Sequence, residues 1–296
     1  MGLITEQART ERSCPAISRF KAHLREVRLA GQSYRLITLR ADARVAFSTN
    51  YFHDTWHIVS DQFGSRLLAR LVWGLAFQRQ QRTAVLIHGQ HLQPTPFEAE
   101  RSDPFLLLPA HLTSADPDAF RDLKTRLKNL GPPTRTIRWQ TFGLDLALQA
   151  EREERERALD GWRCTSCKDN EHLSQEERMG RCGGLIYYSA PPRILRQQAL
   201  RIHSLRTKTG KYLHEMDYHD LAEARERKGG FPDGEVQIFW DYRERVAAAV
   251  EARKELTPYP NQPILDESLQ ERISRRRDAI RRRKKKCRKR QNVSRA

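Results

Sequence analysis

Two scarcities stand out in this 296-residue chain: it contains only five cysteines and three methionines. Its longest apolar runs fall well short of the roughly 18 residues a membrane-spanning helix needs. The N-terminus, Met1-Gly-Leu-Ile-Thr-Glu-Gln-Ala-Arg, has no apolar signal-peptide core, so a cytoplasmic protein is expected, nucleoid-associated in a bacterium or nuclear in a eukaryote. Five cysteines with three in one cluster are unlike the even, dispersed set of a secreted disulfide framework. The phosphate-cradling Gly-x-x-x-x-Gly-Lys-Ser/Thr loop is missing, as are Gly-x-Gly-x-x-Gly after a strand and the Gly-x-Ser-x-Gly elbow. These absences argue against a nucleotide-dependent enzyme and a serine hydrolase. No internal repeat is visible.

What is abundant is positive charge, +17 in total. Residues 272–296 hold fourteen Lys and Arg against the single acid Asp278, or +13, which leaves about +4 for the first 271 residues. The run Arg275, Arg276, Arg277, Arg281, Arg282, Arg283, Lys284, Lys285 and Lys286 repels itself, so a disordered tail is expected. Such a tail suits nonspecific phosphate binding, with an anionic membrane surface, ribosomal RNA or a nuclear-import signal as alternatives.

Hydrophobic periodicity gives the expected fold class, α/β, with an N-terminal mixed or parallel sheet and covering helices. A smaller zinc-stabilised α+β domain and the disordered basic tail follow. Residues 1–30 read as an extension, including a short helix from Ile17 to Val27. An α/β domain is expected over 31–150, opening with a hairpin from Tyr34 to Phe47. Strand Trp56–Ser60, an amphipathic helix over 65–79 and the apolar strand Thr83–His88 then read as a parallel βαβ unit. Helix 116–130 and the alternating strand Arg135–Trp139 complete that domain. Residues 151–161, charged on every face, form a helical linker. The second domain spans 162–257, with a helix expected around His214 to Arg227, a strand Glu235–Trp240 and a helix Tyr242–Leu256. A Pro-containing linker and the basic tail fill 258–296.

The chemistry concentrates in Cys164-Thr-Ser-Cys167, His172 and Cys182. A Cys-x-x-Cys turn sets two thiolates on one tetrahedral edge, and a later Cys and His complete a closed structural Zn²⁺ site. A redox pair and ordinary buried thiols are the competing readings. The spacing Cys164-x2-Cys167-x4-His172-x9-Cys182 resembles the zinc knuckle of single-stranded nucleic-acid binders. It departs from that pattern in a last spacer of nine residues and in Glu171 where the knuckle has glycine. Cys182-Gly-Gly also resembles half of a zinc-ribbon knuckle, for which His203, His214 or His219 would supply the missing ligand. Around this cluster lie Arg178, Arg181, Arg193, Arg196, Arg201, Lys208 and Lys211, suited to phosphate and base-edge contacts.

Two histidine groups are candidates for catalysis. His214, Asp217, His219 and Asp220 miss the His-Glu-x-x-His motif because Tyr218 takes the second histidine's place, yet they suit a divalent ion. His88 ends an apolar strand, where α/β sheets place ligands and where Asp61 would share the crevice. The expected function is a nucleic-acid-binding accessory or regulatory protein that docks other proteins through its α/β domain. A metal-dependent nuclease or phosphodiesterase and a subunit of a nucleoprotein assembly are the alternatives.

Overall fold

A computed structural model describes residues 19–160, 176–207, 214–222, 232–256 and 266–293. It is a mixed α/β fold with two sheets. The strands are β1 (Arg19–Leu29), β2 (Gln32–Thr38), β3 (Phe47–Phe52), β4 (Thr55–Ser60), β5 (Thr83–Ile87), β6 (Phe105–Pro109), β7 (Arg135–Gln140), β8 (Arg178–Cys182), β9 (Leu185–Ala190), β10 (Met216–Leu221) and β11 (Gly234–Phe239). The helices are α1 (Gln62–Leu75), α2 (Pro117–Arg126), α3 (Leu144–Asp160), α4 (Pro192–Ser204), α5 (Tyr242–Leu256) and α6 (Asp266–Val293). Among the described residues no helix is long and apolar enough to cross a membrane.

The large sheet runs β7-β1-β2-β5-β6-β9-β8 and the small one β10-β11-β4-β3. Strand alternation gives each sheet two apolar faces. Leu36, Leu86, Leu106 and Leu185 of the large sheet pack on Phe120 and Leu123 of α2. Its other face, with Ile37, Val85, Leu107 and Ile186, meets Leu68 and Val72 of α1 and Leu195 and Ile202 of α4. The same two helices cover Ile58, Val236 and Ile238 of the small sheet. Val59 and Phe239, on that sheet's far face, meet Tyr242 and Val246 of α5. The result is five layers with α1 and α4 in the middle.

The layers carry an internal two-fold. Hairpin β3–β4 with α1, and hairpin β8–β9 with α4, match at a constant offset of 130 residues, from Phe52 opposite Thr55 and Cys182 opposite Leu185 onward. Both hairpins turn through two residues of positive φ, His53 and Asp54 in one and Gly183 and Gly184 in the other. Gly183 is required sterically as well, since a Cβ there would lie 2.6 Å from the Arg121 backbone nitrogen. Residues 61–70 and 191–200 show the same sequence of buried and exposed positions. The units exchange strands. β9 runs parallel to β6, which follows the first unit, and β4 runs parallel to β11, which follows the second.

This exchange corrects several expectations. Strands 178–190 belong to the large sheet and 216–239 to the small one, so both sheets combine strands from either side of the charged helix α3. β4 and β5 lie in different sheets and do not form a βαβ unit, because α1 passes between the layers. Residues 19–29 are a strand in place of the expected extension and helix, with Ala22 and Leu24 alternating into the core. That strand, joined through Ala30 and Gly31 at positive φ, is the hairpin partner of β2.

The basic C-terminal stretch is helical from Asp266 to Val293. α6 lays Leu269 and Ile273 on Ala248, Ala249 and Ala252 of α5, an apolar seam with i, i+4 spacing. Its own cations help to hold it. Arg281 donates to the fully buried Asp241 at 2.7 Å and to Glu215 at 3.2 Å, stacks over Trp240 at 5.0 Å, and shares both acids with Arg245. Pairing with the protein's own carboxylates offsets self-repulsion among the described cations from Arg272 to Arg281.

Candidate functional site

A groove of about 1020 Å³ runs along the side of α1 that neither sheet covers. Asp61 caps this helix by accepting from the Gly64 amide at 2.8 Å. The apolar i, i+3, i+4 stripe of α1 faces the core, which leaves Phe63, Arg66, Leu67 and Arg70 along the groove. Trp240, Tyr242 and Arg243 at the start of α5 form the facing wall, with Ile280 of α6. The loop from Arg40 to Val45 and the start of β1 close one end. Six cations line it, Lys21, Arg40, Arg44, Arg66, Arg70 and Arg243, against the acids Asp42, Asp61 and Glu244. Arg40 pairs with Asp42 at 3.1 Å and Arg243 with Asp61 at 3.4 Å. Among the described residues no acid pairs with Lys21, Arg44 or Arg66, and Arg66 Nε is buried with no hydrogen-bond partner. Phe63 is 62% exposed and Trp240 39%.

None of these cations was a candidate from the sequence, and the candidates that were lie elsewhere. Arg178 is exposed on the terminal strand β8, and Arg181 pairs with Asp103 at 3.0 Å. Arg193 is exposed at the start of α4, while Arg196 stacks over Phe77 at 5.7 Å. Arg275 pairs with Glu271 at 3.0 Å, Arg276 with Glu255, and Arg277 with Glu215 at 3.9 Å. Arg282 and Arg283 are exposed on α6. Lys208 and Lys211 lie outside the described residues, as do the side chains of Lys284, Lys285 and Lys286.

Cys164, Cys167 and His172 also lie outside the described residues. Cys182 ends β8 half-buried, its thiol pushed up by burial and by nearby Asp116. Among the described residues no cluster of three or more His, Cys, Asp or Glu is placed to hold a metal ion.

The expected helix around His214 is strand β10, because six residues from Met216 pair antiparallel with β11. A strand's period of two puts Asp217 and His219 on one face and Tyr218 and Asp220 on the other, and all four line one pocket at this edge of the small sheet. His214 is exposed before the strand. His88 follows β5 in the large sheet, where burial and Arg25 push its pKa down to about 4. Asp61 lies at the end of β4 in the small sheet and lines the groove, which His88 does not.

His219 instead ends a buried polar chain. Its Nε2 lies 2.5 Å from Gln198 Oε1, Gln198 Nε2 donates to Glu177 Oε1 at 2.7 Å, and the Tyr188 hydroxyl donates to the same oxygen at 2.6 Å. Glu177 is 8% exposed and Gln198 5%. Because the Gln198 amide faces a carboxylate, its carbonyl must face His219, and His219 Nε2 must carry the proton. Burial, then Arg201, lowers the His219 pKa to about 4, so the ring is neutral near pH 7. Nδ1 has no partner among the described residues and is left as an acceptor. Comparison with protein-family models, curated proteins and solved structures finds no match to this chain.

Proposed function

We propose that the protein is a nucleic-acid-binding accessory factor whose main contact surface is the groove along α1. The observation that carries this reading is the combination of Lys21, Arg44 and Arg66, which no acid pairs among the described residues, with exposed Phe63 and Trp240 over an apolar floor. Cations track a phosphate backbone, and exposed rings stack on unpaired bases, which favours a single strand over a duplex. Exposed cations of α6 add a nonspecific contribution. Single-stranded oligonucleotides of about 12 residues should quench the Trp240 fluorescence, and a Trp240→Phe control should remove that part of the signal. Affinity should fall with salt along a log–log slope of about −2 to −4. An absence of binding at low salt overturns the proposal.

The reading includes a structural zinc ion held by Cys164, Cys167, His172 and Cys182. It would order a segment whose polarity gives it little core of its own. Metal analysis of the full chain should find about one zinc, lost in Cys164→Ser. A metal-free protein that binds oligonucleotide normally would remove zinc from the proposal and leave the groove.

A further inference from the structure

The internal two-fold singles out the polar chain behind His219. By the 130-residue offset, Glu177, Tyr188 and Gln198 stand where Phe47, Ile58 and Leu68 stand in the other unit. His219 sits opposite Val236 of β11, as Val85 sits opposite Leu107 of β6. All four counterparts are apolar and buried. The same packing is therefore built once from hydrocarbon and once from hydrogen bonds. Buried polar groups carry a desolvation cost that the apolar version avoids, so the fold alone does not require them.

The chain leads to a pocket of about 470 Å³ between the end of α4 and the edge strand β10. Arg201, Asp217, Tyr218 and His219 line it. Asp217 is pinned by the Arg206 amide at 2.7 Å and the Tyr218 amide at 3.0 Å. The Tyr218 ring is exposed.

We propose that this pocket receives one unstacked nucleobase and selects a base with an exocyclic amino group, cytosine over uracil being the sharpest case. The inference rests on the nucleic-acid reading above. Glu177 and Gln198 fix His219 as a hydrogen-bond acceptor, which removes the ambiguity of an ordinary neutral imidazole. Cytosine offers an N4 amino donor where uracil has a carbonyl, so only cytosine satisfies Nδ1, while two facing lone pairs repel. Arg201 is the donor available to the ring nitrogen and carbonyl of the same base. Asp217, beside the donor-seeking imidazole, makes the pocket a poor phosphate site and a good one for amino groups.

Cytidine and uridine titrated separately into the full-length, ¹⁵N-histidine-labelled protein test this. Cytidine should bind about tenfold or more tightly than uridine and shift the His219 Nδ1 resonance, with the proton on Nε2. Gln198→Leu, which installs the residue of the other unit, should erase the preference without abolishing oligonucleotide binding. Equal affinity for the two nucleosides, or a proton on Nδ1 in the free protein, overturns the inference. Oligonucleotides that bind without base preference leave the groove reading standing and this one not. Cytidine selection at His219 without oligonucleotide binding does the reverse.

Discussion

Replacing Glu177, Tyr188, Gln198 and His219 together by Phe, Ile, Leu and Val is expected to leave the protein as stable as before or more so. Removing Glu177 alone, as Glu177→Ala, should lower stability by about 3 kcal/mol. The fourfold exchange copies a cluster that the molecule already packs in its other unit, with similar total volume. The single change leaves the Tyr188 hydroxyl and the Gln198 amide buried without an acceptor. In thermal unfolding the single variant should melt roughly 6 to 10 °C lower. The two proteins should also differ in their response to acid. His219 is pushed from 6.5 to about 4 in the folded state, so between those values the unfolded chain binds more protons and stability falls as pH falls. His57, His88 and His203 are pushed to about 4 as well and act in the same direction. The exchanged protein lacks His219 and should lose less stability between pH 6.5 and 4. A fourfold variant that melts well below Glu177→Ala would mean that the polar chain is needed for packing.

Much of the fold was legible where periodicity was strong. The stripe of Leu68, Leu71, Val72 and Leu75 marked α1, and the alternation in Arg135–Trp139 marked β7. In the first strand Phe20, Ala22 and Leu24 alternate, but Ile17 to Val27 also fits a helical period, which masks the strand. β10 carries no strand signal because Asp217, His219 and Asp220 replace the apolar positions expected of a strand, and its partner β11 lies beyond a long connection. The two-fold was invisible for a related reason. Phe47 and Glu177, or Leu68 and Gln198, share a position and no chemistry, so only spacing and burial betray the repeat. Charge counting found the basic C-terminus but not its partners, since Glu215 and Asp241 reach Arg281 across 66 and 40 residues. The groove shares this origin. Arg66 and Arg70 sit on the unremarkable face of an amphipathic helix, and only the loop at Arg44 and the start of α5 turn that face into a concave surface.

This placement separates the groove from the C-terminal helix as the seat of binding. Arg66→Ala combined with Arg70→Ala should weaken single-stranded oligonucleotide binding by about 10- to 100-fold and make the log–log salt slope shallower by about 1.4. Each lost phosphate contact returns its share of released counterions, and the apolar floor that holds the bases loses its flanking charge. Neither change should unfold the protein, because both side chains point away from the core-facing stripe of α1. Arg282→Ala with Arg283→Ala removes the same charge from exposed positions of α6 that do not line the groove. It should cost only a few-fold in affinity. Filter binding at three or more salt concentrations compares the two. Equal loss from both pairs would show that net charge alone governs binding, and a larger loss from the second would move the interface to the C-terminal helix.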